Sequence, residues 1–571
     1  MPRRKKRKRA RLSPEELRKR RLKRVHRKEI RGVFELTGFQ RVPTISDAEF
    51  TFLGTTSDFD DCFVYQNIVV LLEYTTAQQS DVSDHIKPKK VLYDKICNDP
   101  KDFITFLDEK FAGFKAARGK FYKLDQYRVV IVYCSFNRVA KTLKEEVPNI
   151  KFLDYQHAKY FLEITRAIRA SARFELFDFL GLEHSDIGKN IISSGTGSET
   201  YSGSILPEGH SYFGVGFKVI SFYVDPAALL SRCYVLRKDR WEEASNLYQR
   251  MIDKKKIESI RRYLLDQKRV FVNNIILTLP DQTVLVNDAG HSIQPRTLTK
   301  TAPIKVQLPS EYNSIGLIDG QHRVFSYYEG GRNEDQIAEL REQQNLLATG
   351  IVYPAGLSKI ERTKFEAKLF LEINATQTSA KSDLKQVIGL LLYPFSPESI
   401  AKDVLNHLSE NHGPLFDCFE RFFFEKNKLK TTSVVSYAVK PIVRLTANDS
   451  FFRVWKQPGK SDLLQERDLD LKNKYVEFCA KQLNIFFSAA KAAVPGHRWT
   501  TDKGVEKRLL TTTNINGLII CLRKIIEADR LHDFDFYKSK FGDRFERFTF
   551  EDYHSSQYTR MGQDLYDRFF S

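Results

Sequence analysis

Apolar and polar positions follow two different periods along this chain, and the changes of period divide it. Ile68-Val69-Val70-Leu71-Leu72 is an unbroken apolar run within residues 63–75, the pattern of a strand buried on both faces. Val129-Val130-Ile131-Val132-Tyr133 is a second such run. Between them residues 89–117 carry helical spacing, and residues 155–181 carry it again. Strand, helix, strand, helix predicts a small α/β domain. Residues 183–210 break the pattern with Ser193-Ser194-Gly195-Thr196-Gly197-Ser198, which predicts a linker or mobile loop. A second body starts near Phe213. Residues 217–224 and 270–279 read as strands around a charged helical stretch, 239–265, and Ile315-Gly316-Leu317-Ile318 reads as a short strand. Residues 359–372 have helical character. From about residue 395 the pattern is mainly helical, with aromatic stretches such as Phe422-Phe423-Phe424. No repeat at solenoid periods interrupts it.

These periods predict a mixed α/β, multidomain chain: a segment 1–30, an α/β domain 31–182, the loop 183–210, an α+β body 211–400 and a helical region 401–571, either separate or part of that body. The length of 571 residues and 42% hydrophobic content support several real cores. Charge then singles out the first segment. The net charge is +19, and residues 1–30 carry +13 of it, which leaves +6 for the rest. Arg3, Arg4, Lys5, Lys6, Arg7, Lys8 and Arg9 form a run that self-repels and favours polyanions; they are the candidate DNA-binding residues, with a solubilising tail or a nuclear address as the alternative. Ser13-Pro14-Glu15-Glu16 then predicts a helix start, so a basic helix follows the arm.

Other classes lose ground. No run of 18 apolar residues predicts a transmembrane helix, and the N-terminus lacks the apolar core of a secretory signal, so no membrane partner is expected. The seven cysteines are scattered with no CxxC pair, which disfavours zinc ribbons and fits a reducing cytoplasm. No G-x-x-x-x-G-K-[ST] loop is present, which excludes a Walker-type ATPase. Trp241, Trp455 and Trp499 read as packing or lid residues.

Two constellations carry candidate chemistry. Asp58, Asp60 and Asp61 precede the run 68–72, and Glu73 ends it. A carboxylate at the start of one strand and another at the end of the next can converge on a Mg²⁺ ion, with Glu49 as a further oxygen donor. Asp60, Asp61, Glu73 and Glu49 are therefore the expected metal ligands, and Asp61 and Glu73 the catalytic pair. The spacing resembles the PD-(D/E)XK nucleases over residues 31–182, which implies a restriction-endonuclease-like fold and DNA cleavage. The motif lysine falls on Thr75, and Lys87, Lys89 or Lys90, after His85, are the candidates to supply a cation from a neighbouring helix.

The second constellation is Asp319-Gly320-Gln321-His322-Arg323, directly after a short strand. Gly320 permits close backbone approach to a ligand, Arg323 offers a planar fork of donors for phosphate, and His322 offers another. Asp319 can hold a metal or orient a water. The pentad resembles the motif of DGQHR-domain proteins. A second motif of that family, F-x-x-x-N-x-x-Q, is matched by Phe370, Asn374 and Gln377, and Val270-Phe271-Val272-Asn273-Asn274-Ile275 is similar to its leading strand. The resemblance implies a DndB-like, ParB/sulfiredoxin-like fold over residues 211–400. It further implies nucleotide binding by Gly320, Gln321, His322, Arg323, Asn374 and Gln377, with Asp319 and Arg323 catalytic. The expected cofactors are ATP, or another NTP, and Mg²⁺. The expected setting is a prokaryotic DNA-modification system (phosphorothioation or 7-deazaguanine type) or phage defence. Double-stranded DNA, modified DNA included, and other proteins of that system are the expected partners, and oligomerisation is open. An ATPase with a Mg²⁺-dependent nuclease site is the leading expectation; a non-catalytic DNA-binding regulator or an NTPase helper subunit is the alternative.

Overall fold

A computed structural model describes residues 13–191, 200–237, 251–377, 382–421, 425, 427–465, 468–528 and 531–571. Trp241, the basic run 3–9, residues 193–198 and Phe422–Phe424 lie outside the described residues. The chain is mixed α/β and divides into two compact units, 13–362 and 363–571.

The first unit opens on helix α1 (Pro14–Leu36). The expected start is present as a capping box: Ser13 Oγ accepts the Glu16 N–H at 3.2 Å and Glu16 Oε2 accepts the Ser13 N–H at 2.8 Å. Five strands follow in one sheet, β1 (Gln40–Arg41), β2 (Asp61–Tyr65), β3 (Ile68–Thr75), β4 (Arg128–Ser135) and β5 (Lys151–Leu153), side by side in that order. The β1/β2 and β2/β3 pairs are antiparallel, and β3/β4 and β4/β5 are parallel. Helix α2 (Val82–Asn98) belongs to the crossover between β3 and β4, as the helical spacing predicts. Every residue of β3 is buried, because one face meets α1 and the helices α3 (Tyr155–Ile168) and α4 (Arg173–Leu180) while the other meets α2.

The second sheet has eight strands: β6 (Thr200–Ile205), β7 (Lys218–Val224), β8 (Cys233–Tyr234), β9 (Ile275–Leu279), β10 (Val284–Val286), β11 (Ala302–Gln307), β12 (Ile315–Asp319) and β13 (Leu346–Val352). Their order is β8-β12-β9-β13-β7-β6-β11-β10. Two expectations are corrected here. Residues 200–205, expected in a loop, form β6, hydrogen-bonded between β7 and β11. The misleading glycine is needed there: a Cβ on Gly203 would lie 2.4 Å from Ser221 O. The strand expected over 270–279 begins only at Ile275.

The expected boundary near 182–211 does not separate two cores. One apolar cluster runs from Ile30 in α1 through Phe177 in α4 to Ile220, Leu277, Leu317 and Val352 in the second sheet. Asn313 Nδ2 donates to Phe174 O at 2.8 Å, and the Ala170 N–H donates to Glu329 O at 3.2 Å. The compact division instead falls inside the helix Lys359–Gln377.

The second unit is helical, as expected. Its core gathers residues from the helices Pro397–Glu410, Leu469–Ala492, Thr512–Glu527 and Tyr558–Phe569. Trp455 and Trp499 are buried packing residues of this core, and Trp499 Nε1 donates to Pro414 O at 2.7 Å. All seven cysteines are free. Among the described residues no helix is long and apolar enough to cross a membrane.

Candidate functional site

Strand alternation decides the fate of the acidic constellation. Along β3, Val69, Leu71 and Glu73 face α2, whereas Val70, Leu72 and Tyr74 face α1. Asp61 pairs with Leu72 in the β2/β3 register and so faces α1. Its carboxylate, 0% exposed, accepts from Arg31 Nε at 2.7 Å, Arg41 Nε at 2.7 Å and Ser46 Oγ at 2.9 Å. Burial works against its charge, but these donors outweigh it and hold the carboxyl below the usual range. Asp61 and Glu73 therefore stand on opposite faces of the sheet. Glu49 is exposed and its carbonyl accepts Lys110 Nζ at 3.1 Å; it joins none of the other acids.

Glu73, Asp58 and Lys89 do come together. Lys89 Nζ reaches from α2 to Glu73 Oε1 at 2.6 Å and Asp58 Oδ1 at 3.1 Å. Of the three lysines expected to replace the one missing at Thr75, Lys89 is the one at this site. Lys87 and Lys90 turn instead to Glu146. Asp60, just before β2, accepts the Tyr74 N–H at 2.7 Å and pairs with Arg27 of α1. Burial pushes the Glu73 carboxyl up to about 8 against the pull of Lys89, and raises that of Asp60 against Tyr74 and Arg27. His85 Nδ1 lies 2.9 Å from Tyr133 Oη beside this group.

This donor set does not fit a preformed Mg²⁺ site. Each carboxylate is already held by a cation, Glu73 favours its proton, and no group of three His, Cys, Asp or Glu side chains among the described residues could hold a metal ion.

The pentad lies at the end of β12. Asp319 is the last strand residue, Gly320 turns the chain with φ 99°, and residues Gln321–Phe325 form a short helix, α6 by its place after α5 (Lys254–Gln267). A Cβ on Gly320 would meet Ile275 Cδ1 at 2.6 Å, so this position requires glycine twice over. Arg323 Nη2 donates to Asn274 O at 2.8 Å and to Asp319 Oδ2 at 3.1 Å, while its buried Nε has no partner. His322 is engaged on one side of its ring. Its Nε2 accepts the Asp253 N–H at 3.1 Å, and burial, with Lys256 and Arg237 nearby, lowers its pKa to about 4. The ring is neutral at pH 7 and keeps one N–H, at Nδ1, to donate.

Sequence reasoning missed Arg237. This residue follows β8, is 0% exposed, and donates through Nε to Gln321 Oε1 at 3.2 Å. Its Nη1 pairs with Glu175 of α4 and lies 3.3 Å from Tyr160 Oη of α3, which itself donates to Glu175 Oε2 at 2.5 Å. Gln321 is thus braced against the N-terminal helices. Arg237 lies over 80 residues from the pentad with no motif around it, so nothing in the sequence marks it. Asn374 lies in the second unit on the helix Lys359–Gln377, α7, and its Nδ2 donates back to Phe370 O at 2.8 Å. The side chain of Gln377 is outside the described residues.

Comparison with protein-family models, curated proteins and solved structures finds no match for this chain.

Proposed function

We propose that this chain is a DGQHR-domain protein that binds a nucleoside triphosphate, ATP in the first instance, at Asp319–Arg323 and hydrolyses it in the service of a DNA-modification or phage-defence system. In this reading the eight-stranded sheet is the ParB/sulfiredoxin-like body and the five-stranded sheet the PD-(D/E)XK-like module. The observation that carries the nucleotide site is Arg323, poised beside a glycine turn with one buried guanidinium N–H unspent. A phosphate oxygen at that turn gains a charge-assisted donor and close backbone approach. Asp319 keeps Oδ1 unengaged, so it is the carboxylate that would meet a Mg²⁺ ion carried by the phosphates, whose charge the ion would neutralise. Neutral His322 orients through its remaining N–H rather than adding charge.

For the N-terminal module, DNA engagement without cutting is the favoured role, because Lys89 and Arg27 occupy the carboxylates that a nuclease metal needs. Phosphate release measured with and without duplex DNA tests the first claim. Release by the wild type that is lost in Arg323→Ala supports it, and no release under any condition ends it. Mg²⁺-dependent DNA cutting that disappears in Glu73→Ala would overturn the second.

A further inference from the structure

Helix α1 extends well past the body that it packs on. Its buried residues are His26, Ile30, Val33 and Phe34, all in its second half, and residues 13–21 are exposed throughout. The exposed part carries Arg18, Lys19, Arg20, Arg21, Lys23, Arg24 and Lys28 against Glu15 and Glu16. Among the described residues only Lys19 of these cations makes an ion pair, with Glu15 at 3.0 Å. The remaining cations repel one another at i, i+3 and i, i+4, as Arg20 does Lys23 and Arg24. A helix that spends no apolar burial on its first half and accumulates such repulsion gains stability from a polyanion laid along it.

The angular spread of the charges selects which polyanion. At about 100° per residue, the seven cations cover an arc of about 260° around the axis. A flat anionic membrane engages one face of a helix and needs an apolar face to insert, and here the exposed large apolar side chains are only Leu17 and Val25. A groove walled by phosphates engages both flanks. Residues 14–25 span about 18 Å, the length of about five base pairs. The B-form major groove admits a helix, and the deep, narrow groove of duplex RNA does not. The ridge also leads to the acidic face of the module, since Lys23 acts on Asp60 and His85, and Arg27 pairs with Asp60.

We propose that the projecting half of α1 is a DNA-binding element that lies in the major groove of duplex DNA and grips the phosphates on both walls. It rests on the reading of this chain as DNA-acting, and specifies the surface by which it acts. The arm 1–12 adds charge, but the helix supplies the shape.

The test is equilibrium binding of the full chain to a labelled DNA duplex across a salt series, comparing the wild type with the combined substitution Arg20→Gln, Arg21→Gln, Lys23→Gln and Arg24→Gln, which leaves Arg3–Arg9 intact. All four side chains are exposed, so the variant keeps its fold and the thermal melt does not fall. The expected result is affinity about tenfold weaker or more, with the slope of log K against log salt reduced by about three to four. Unchanged affinity and slope would overturn the proposal. So would equal affinity for duplex RNA, or preferential binding of the wild type to phosphatidylserine vesicles. Failure here leaves phosphate release and its loss in Arg323→Ala untouched, so the two readings fail separately.

Discussion

Lys89 on helix α2 places its ammonium 2.6 Å from the carboxyl group of Glu73 on strand β3, across the sheet face that the two elements share. The pair is buried, and Glu73 prefers its proton up to about pH 8. The folded state therefore holds a proton that the unfolded chain releases near its ordinary carboxyl value. Stability from this group is full below that value and is lost as pH rises towards 8. Chemical denaturation at successive pH values is expected to show wild-type stability falling between about pH 5 and 8, by at most about 1.4 kcal/mol per pH unit from this group. Glu73→Gln, which cannot titrate, flattens that slope. An identical slope in the variant would remove Glu73 as its source.

Arg323→Ala deletes a guanidinium that holds Asp319 and the Asn274 carbonyl. Charge-assisted hydrogen bonds contribute about 1.5–3 kcal/mol each, so nucleotide affinity is expected to fall by about tenfold or more. Calorimetric titration with a non-hydrolysable triphosphate reads this directly. Unchanged affinity would remove Arg323 from the proposed nucleotide site.

Gly320→Ala meets two penalties, a φ of 99° and a Cβ within 2.6 Å of Ile275 Cδ1. A loss of about 1–3 kcal/mol of stability is expected in urea unfolding of the unit that contains it. Ile275→Val in the same background relieves the crowding but not the backbone strain, so it recovers only part of the loss.

Arg237 and Glu175 form a buried ion pair that Tyr160 and Gln321 join. Arg237→Met removes the buried cation beside the Glu175 carboxylate and is expected to destabilise by about 3–5 kcal/mol, whereas Arg237→Met with Glu175→Leu recovers most of it. A denaturant series on the two variants distinguishes a stranded charge from lost packing, because lost packing would leave the double variant at least as unstable as the single.

Much of the secondary structure was legible as pattern. The strands within 63–75 and over 129–133, the capped start of α1, the helical C-terminal region and the strand before Asp319 all follow from local periodicity and end chemistry. These are properties of contiguous residues, which sequence carries whole. The pentad was legible too, as a strand end followed by glycine and a cluster of donors.

What pairs with what was decided only by the tertiary structure. Asp61 and Glu73 read as one carboxylate pair, yet the pleated sheet turns Asp61 towards α1 and its arginine Arg31 while Glu73 faces Lys89 on α2. Gly203 reads as loop until the backbone of Ser221 is found against it. His322 reads as a donor through either nitrogen until the Asp253 amide takes its Nε2 and leaves only Nδ1 to donate. Arg237 reads as an ordinary basic residue until burial forces it onto Glu175 and Gln321. The sequence by itself determined the elements and the chemical types available; the tertiary structure decided the partners, because hydrogen bonds and ion pairs between distant segments depend on register and on which face of a sheet each side chain occupies.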